Sequence, residues 1–321
     1  MKILNKLIVV VFAISLANSC KNEPINAETP LIPKPDQIEF KSGQFDFPKH
    51  VLLKYTTDNT SEAALLKEYL SEYGIKLNND ATQIIEFSLN RNLPKNSYLL
   101  NICKESILLE AGNDNGIKYG IQTLRQLFFY AKSENKGIQC QEIKDAPNFD
   151  YRGMHLDVAR HFMPVEFVKQ YIDMMAMLKM SYFHWHLVDD QGWRIEIKKY
   201  PKLTEVGSKR KETLIGHGGI KPFEYDGIPH EGFYTQEEIK DIVAYASARG
   251  ITIIPEIEMP GHAQSAIASY PELGVTGEKI EVWTRWGVSP YIYNVEESTF
   301  EFLEGVLSEV AELFPGKYIH I

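Results

Sequence analysis

The alternation of strand-like and helix-like segments from Tyr151 onward is the feature that most limits the fold of this chain. Short apolar runs such as GMHLD, YFHWHL and ITIIPEIEM alternate with amphipathic segments such as VEFVKQYIDMMAMLKM and TQEEIKDIVAYASARG. About four such repeats favour a parallel sheet covered by helices. A doubly wound sheet and a (β/α)8 barrel both fit this rhythm. No glycine-rich phosphate loop follows the first strand, which disfavours a nucleotide-binding doubly wound sheet.

Residues 31–146 have a different rhythm and predict a separate α+β domain. Six short strand-like runs, from QIEF to GIQCQEI, surround two amphipathic helices, SEAALLKEYLSEYG and NGIKYGIQTLRQLFFYA. Pro147 marks the boundary with the second block. Cys103 and Cys140 lie in this domain, and their spacing leaves a disulfide and two free thiols equally open.

Residues 1–20 have the features of an export signal. Two lysines precede an apolar run, LIVVVFAISLA, that is too short to span a bilayer as a mature helix. The small residues before Cys20 resemble the lipobox of bacterial lipoproteins, which predicts lipidation of Cys20. An ordinary signal peptide with an unrelated cysteine is the alternative. Residues 21–30 then form a polar tether, and we expect a lipid-anchored protein of the periplasm, outer membrane or cell surface of a bacterium.

Ionisable side chains follow three of the predicted strands of the second block. In FHWHL the side chains alternate, so His184 and His186 share one face of the strand. The groups that follow the strands are Asp157, Arg160 and His161; Asp189 and Asp190; and Glu256, Glu258 and His262. Because the carboxyl ends of barrel strands meet at one rim, where barrel enzymes place their active sites, these groups predict a functional site.

The same side chains also allow other interpretations. His184, His186 and Asp189 could ligate zinc in a metal-dependent hydrolase, although strand histidines also serve as hydrogen-bonded core groups. Structural roles fit the remainder: a loop cap for Asp190, core packing for Trp185 and Trp193, and an ion pair with a neighbouring carboxylate for Arg194. The net charge of −9 argues against a nucleic-acid partner, since such proteins usually carry a basic face.

Four ordered motifs resemble glycoside hydrolase family 20, the β-N-acetylhexosaminidases: YRGMHLDVARHF, FHWHLVDDQGWRIEIKKYPKL, GFYTQEEIKDIVAYASARGITIIPEIEMPGH and LFPGKYIHI. The resemblance covers residues 150–321 as the first part of a catalytic TIM barrel. Residues 31–146 resemble the α+β domain that precedes this barrel in bacterial members.

The resemblance implies a function and a substrate class. Members release terminal non-reducing β-linked N-acetylglucosamine or N-acetylgalactosamine with retention, and the 2-acetamido oxygen of the substrate is the nucleophile. The expected partners are amino-sugar glycans such as chitooligosaccharides, glycoprotein glycans or peptidoglycan fragments. Neither a metal nor an organic cofactor is expected.

The resemblance also implies roles for individual residues. Arg160 would bind the outer hydroxyls of the terminal sugar, because a guanidinium presents its donors in a rigid fork. Asp189 would hydrogen-bond to His262, which would contact the general acid. Glu258 replaces the aspartate that is usual in the family, so no role is assigned to it. The acetamido-orienting aspartate and the general acid are expected in a Gly-Gly-Asp-Glu sequence after Ile321.

Two further expectations concern the 321-residue chain by itself. It should have little or no activity, and part of a barrel should fold poorly unless its open sheet edges dimerise. The alternative function is a lipid-anchored, non-catalytic glycan-binding module that retains Arg160.

Overall fold

A computed structural model describes residues 29–321, so the predicted signal peptide, Cys20 and most of the tether lie outside the described residues. The strands are β1 Gln37–Phe45, β2 His50–Lys54, β3 Lys76–Leu77, β4 Ile84–Leu89, β5 Tyr98–Ile102, β6 Ser106–Ala111, β7 Ile138–Asp145, β8 Gly153–Asp157, β9 Tyr182–His186, β10 Val188–Asp189, β11 Gly192–Trp193, β12 Lys209–Arg210, β13 His230–Glu231 and β14 Thr252–Glu256. The α-helices are α1 Thr60–Glu72, α2 Asp114–Ser133, α3 Val165–Met177, α4 Lys202–Glu205, α5 Gln236–Ala248, α6 Gln264–Ser269 and α7 Glu297–Leu313.

The N-terminal domain is a seven-stranded mixed sheet with helices α1 and α2 packed against it. The strand order is β1-β7-β5-β6-β4-β2-β3. Alternate residues of β6, Ile107, Leu109 and Ala111, are buried beneath α2, as a strand of period two requires. A Cβ on Gly120 would lie 2.3 Å from Leu109 Cδ1, so this glycine lets α2 approach the sheet closely. The domain is α+β, as predicted.

The second part begins with three parallel strands in the order β14-β9-β8. His184 of β9 pairs in register with His155 of β8 and with Ile254 of β14. Phe183 and Trp185 are fully buried in the core beneath the helices. The histidines of β9 therefore point to the other side, which is the interior of a barrel.

The segment KYIHI, which the sequence predicts to be a fourth strand, forms a single parallel bridge between Glu256 and His320 within the described residues. The hydrogen bond from His320 N to the carbonyl of Pro255 (2.9 Å) places this segment beside β14. Helix α7 covers this edge through buried Val306 and Val310. The second part is thus the first portion of a (β/α)8 barrel.

The structure also shows whether the two cysteines form a disulfide and whether a helix could cross a membrane. Cys103 is exposed, Cys140 is buried, and both are free thiols, so the disulfide alternative is wrong. Across residues 29–321, each helix is too short or too polar to cross a membrane.

Candidate active site at the rim of the barrel strands

Arg160, Asp189 and His262 follow three different strands and meet at one point. The Arg160 Nη2 atom lies 2.6 Å from Asp189 Oδ2, and His262 Nδ1 lies 3.1 Å from Asp189 Oδ1. Asp189 is fully buried, whereas the side chains of Arg160 and His262 are 30% and 39% exposed. A covered carboxylate thus orients two partners that face solvent.

A turn directly after β8 fixes the position of Arg160. Asp157 Oδ1 accepts hydrogen bonds from the backbone N–H groups of Ala159 and Arg160, at 3.0 and 3.1 Å. The second oxygen of Asp157 pairs with Arg160 Nη1 at 2.8 Å, and Gln191 Oε1 accepts from Arg160 Nε at 3.1 Å. Burial opposes the charge on Arg160, but Asp189 and Asp157 outweigh it and raise the pKa of the guanidinium.

His262 has an unusual backbone conformation, with φ at +50°. This left-handed region is uncommon for residues other than glycine, and strain of this kind concentrates at functional sites. Because a carboxylate can only accept, the contact with Asp189 places the proton on Nδ1. The Nε2 atom of His262 remains for another partner.

Asp190 holds the segment that carries His262. Its Oδ1 atom accepts from the N–H of Gln264 at the start of α6 (3.1 Å), which is the loop-capping role that the sequence allows. Its other oxygen lies 3.3 Å from His262 Nδ1. Burial, together with the charge of Asp189, raises the pKa of Asp190 to about 6, although Gln264 and His262 oppose the shift.

Glu258 belongs to the same group of side chains, although sequence reasoning assigns it no role. Its carboxylate lies 3.6 Å from His186 Nε2, which is also 3.2 Å from Asp189 Oδ2. Burial, the hydrogen bond with Glu256 and the charge of Glu256 raise the pKa of Glu258 to about 7. The spacing of Glu256 and Glu258, two residues apart near a strand end, is the sequence signal that could have placed both on one face.

A second cluster of ionisable side chains includes His184, which lies two residues before His186 on β9. His184 contacts Glu256, and His155 Nε2 and His320 Nδ1 approach the same carboxylate at 3.8 and 3.6 Å. By the spacing of their ligand atoms, His184 groups with His155 and Glu256, whereas His186 groups with Asp189 and Glu258. Within the described residues, His184 therefore does not share a group with His186 and Asp189, and the three predicted zinc ligands do not come together as one set.

Arg194 has partners other than those expected. Instead of a carboxylate, its fully buried guanidinium donates to the carbonyls of Val158, Ala159, Ser208 and Gly232, at 2.7 to 3.2 Å. Burial and the nearby charge of Arg210 lower the pKa of Arg194 to about 9. Trp185 and Trp193 are buried core residues.

Comparison with known proteins identifies the family of both parts of the chain. The family description "Glycosyl hydrolase family 20, catalytic domain" matches residues 149–321, and "Glycosyl hydrolase family 20, domain 2" matches residues 28–146. The chain belongs to glycosyl hydrolase family 20.

Individual relatives have similar names. A β-hexosaminidase of Porphyromonas gingivalis is 48% identical over 236 residues, which cover 71% of this chain and 29% of that protein. A β-hexosaminidase of Vibrio furnissii is 39% identical over 301 residues, covering 91% and 48%. The crystal structure of the β-N-acetylhexosaminidase of Bacteroides fragilis superposes with a TM-score of 0.75 at 36% identity, covering 91% and 56%. The chain spans at most about half the length of these curated relatives.

Proposed function

We propose that the protein carrying this chain hydrolyses terminal non-reducing β-linked N-acetylglucosamine or N-acetylgalactosamine. The arrangement of Arg160, Asp189 and His262 at the rim is the observation that carries this proposal. The names of the relatives support it. So does a family 20 exo-β-N-acetylglucosaminidase of Vibrio harveyi, solved with N-acetylglucosamine, whose structure matches at 39% identity with a TM-score of 0.75, covering 91% of this chain and 46% of that chain.

In the proposed site, Arg160 binds the terminal sugar. Two sides of its guanidinium are held by Asp157 and Asp189, and its partly exposed face is left to donate to ring hydroxyls. His262 is held through Nδ1, so that Nε2 can position a general acid. Such a histidine can tune an acid that must first donate a proton and then act as a base.

The proposed reaction retains the anomeric configuration and uses the substrate as its own nucleophile. The acetamido oxygen forms a bond to the anomeric carbon while the glycosidic C–O bond breaks, and the acid gives its proton to the leaving oxygen. Water then opens the cyclic intermediate. We assign the acid and the acetamido-orienting aspartate to the Asp-Glu pair expected after Ile321. His320 lies beside β14, so residues that follow it would reach the same rim. On this assignment the 321-residue chain alone should have little turnover.

Release of 4-nitrophenol from the N-acetyl-β-glucosaminide and N-acetyl-β-galactosaminide tests the function in the protein that carries this chain. Arg160→Met should lower kcat/KM about 100-fold, the scale for losing two hydrogen bonds to a charged group. The matched control Arg91→Met, at an exposed position in the N-terminal domain, should leave it unchanged. Binding of N-acetylglucosamine without release of nitrophenol would instead support the non-catalytic binding module. Absence of both would refute the proposal.

We also propose that Cys20 carries a lipid anchor that exposes the enzyme to glycans outside the cytoplasm. The lipobox-like sequence before Cys20 supports this proposal. Radiolabelled palmitate should be incorporated by the wild-type protein and by the control Cys103→Ser, but not by Cys20→Ser. Equal labelling of all three would contradict it.

A further inference from the structure

A groove between the N-terminal domain and the barrel portion has a mainly apolar lining, and we refer to it as the basal groove. Its apolar side chains come from three segments that are distant in the sequence: Pro30 and Ile32, Phe129 and Tyr130 of α2, and Met177 and Leu178 at the end of α3. Ile32 is 62% exposed and Phe129 is 57% exposed. Large apolar side chains that are exposed together are typical of an interaction site.

One buried side chain fixes the three segments of the basal groove to one another. Gln126 of α2 donates from Nε2 to the carbonyls of Ile32 and Met177, at 2.7 and 2.9 Å. Its Oε1 atom accepts from the N–H of Ile32 at 2.9 Å. Because Gln126 is only 7% exposed, these hydrogen bonds are largely shielded from water. The exposed apolar side chains are therefore presented by backbone that is held in a defined position.

The basal groove lies at the end of the barrel strands opposite the candidate active site. Strand β8 ends on the rim at Asp157, and Arg152 directly precedes the start of this strand. Arg152 Nε donates to the carbonyl of Lys179 at 2.8 Å, two positions after α3 ends at Met177. The end of α3, which forms one side of the groove, is thus beside the starts of the strands. A partner that covers the groove would leave the rim open to solvent.

The charges of the basal groove differ from the net charge of −9 of the whole chain. Among the described residues that line it, Glu72 is the one carboxylate, and it lies 3.8 Å from Arg125. Lys132 also lines the groove and donates to the carbonyl of Tyr73 at 3.2 Å. Asp173, which is outside the lining, approaches Arg125 at 3.9 Å. The lining therefore carries no excess of negative charge that would repel an anionic surface.

The path of the chain indicates which surface covers the basal groove. Nine residues separate Pro30 from Cys20, the proposed site of the lipid anchor. An extended chain spans at most about 3.5 Å per residue, so Pro30 lies within about 35 Å of the anchor. The bilayer that holds the anchor is thus an apolar partner kept close to the groove. The rings of Phe129 and Tyr130, with centroids 5.7 Å apart, belong to residue types that enter the boundary between membrane and water.

We propose that the basal groove is the face by which the anchored protein lies on an anionic lipid bilayer, with Ile32 and Phe129 inserted among the headgroups. This inference rests on the proposed lipid anchor at Cys20 and adds an orientation that an anchor alone does not set. The rim with Arg160 then faces away from the membrane. The protein in this orientation meets glycans of the surrounding medium and not the headgroups of the bilayer that holds it.

Quenching of a fluorescent label by brominated lipids tests the docking face in the lipidated protein. The label, nitrobenzoxadiazole, is attached to Ser133→Cys at the end of α2, in a Cys103→Ser background that removes the exposed thiol. The protein is reconstituted in vesicles of phosphatidylethanolamine and phosphatidylglycerol. Because an interfacial apolar face sits about 5 to 10 Å into the boundary of headgroups and acyl chains, bromine on the upper acyl carbons should lower the emission about 2-fold.

A second label and two substitutions test the orientation and the role of the aromatic ring. Val288→Cys, beside Ser289, which donates to Gln264 near the rim, should keep its emission when labelled. Phe129→Glu should abolish the quenching at position 133, whereas Phe129→Trp should retain it. Phe300→Glu, the same change at an exposed position of α7, is the matched control and should leave the quenching unchanged. Equal thermal unfolding of the variants and the wild type excludes misfolding as the cause of lost quenching.

The remaining outcomes overturn the proposal in distinguishable ways. Protein that floats with the vesicles but shows no quenching at position 133, or equal quenching at positions 133 and 288, retains the anchor and refutes the docking face. Disulfide cross-linking between two copies of Ser133→Cys without quenching would assign the basal groove to a second copy of the chain. Folded protein that does not float with the vesicles refutes the anchor at Cys20, and the docking face falls with it.

Discussion

At the scale of one residue, burial and the charges of neighbouring side chains together set the pKa of Glu258. Its carboxyl group shares a small space with groups that can carry either sign, namely Glu256, His186, Asp189 and His262. With a pKa of about 7 against an ordinary value of 4.5, the folded protein holds a proton on Glu258 that the unfolded chain releases. The wild type should therefore lose stability as the pH rises from about 4.5 to about 7.

Glu258→Gln should remove this pH-dependent loss, because glutamine keeps the shape of the protonated acid and cannot ionise. We expect the melting temperature of the variant, relative to wild type, to increase by about 2 to 4 °C between pH 4.5 and pH 8. This corresponds to about 1 kcal/mol, which is less than the full pKa shift would give because the half-buried carboxyl group is screened by solvent. Calorimetry at both pH values measures the difference. Glu278→Gln, at an exposed loop position, should give a constant difference. A constant difference for Glu258→Gln as well would refute the assigned titration.

Single residues differ in how far the sequence predicts their positions. Arg160, Asp189 and His262 were identified because each lies in a motif at a predicted strand end, and strand ends of a parallel barrel meet. The environment of Glu258 could not be derived, since its pKa depends on the distances to side chains from other strands. The partners of Arg194 were predicted wrongly for the same reason. Every residue has a backbone carbonyl, so the sequence does not indicate which carbonyls accept hydrogen bonds from a buried guanidinium.

At the scale of elements, Arg194 joins the turn after β8 to the β12–β13 strand pair. Its donors bind carbonyls of the turn after β8, of the residue before β12 and of the residue after β13. A Cβ on Gly192 would lie 2.2 Å from Arg194 Cζ, so the β10–β11 hairpin also depends on the position of this side chain. These contacts of Arg194 fix the positions of the loops around Arg160.

Arg194→Met should lower the free energy of unfolding by about 3 to 5 kcal/mol, because each buried carbonyl left without its donor costs about 1 to 3 kcal/mol. The methionine keeps the apolar stem but leaves the carbonyls of Val158, Ala159, Ser208 and Gly232 without this donor. Urea unfolding measures the loss. Arg91→Met, an identical change at an exposed site, should alter stability by less than about 0.5 kcal/mol. Similar small losses in both variants would contradict the joining role of Arg194.

At the scale of the whole molecule, a polar interface couples the N-terminal domain to the barrel portion. Lys179, which follows α3, pairs with Asp145 of β7 at 2.6 Å and donates to Tyr98 of β5 at 2.9 Å. A second ion pair between the domains joins Arg249, after α5, to Glu68 of α1 at 2.5 Å. Both cations are almost fully buried. The sequence predicted the two folds, but this docking depends on surfaces that only the folded domains create.

Lys179 has an unusual backbone conformation, so the contribution of its ammonium group to stability must be separated from the effect of backbone strain. Lys179 has φ at +56°, a conformation that glycine adopts at helix ends without cost. A second residue of the same kind, Asn135, has φ at +51° after α2 but is exposed. Replacing each by glycine relieves a similar strain, yet only the first change removes a buried ion pair between the domains.

Lys179→Gly should therefore destabilise the protein by about 3 kcal/mol, because the carboxylate of Asp145 and the hydroxyl of Tyr98 lose a buried partner. Asn135→Gly should change stability by less than about 0.5 kcal/mol. In scanning calorimetry, one cooperative transition of the wild type should broaden or divide into two for Lys179→Gly only, as the domains begin to unfold separately. Equal effects of the two glycines would show that the ion pair does not couple the domains. A wild type that melts cooperatively as a monomer would in addition contradict the expectation, drawn from the sequence, that part of a barrel folds poorly.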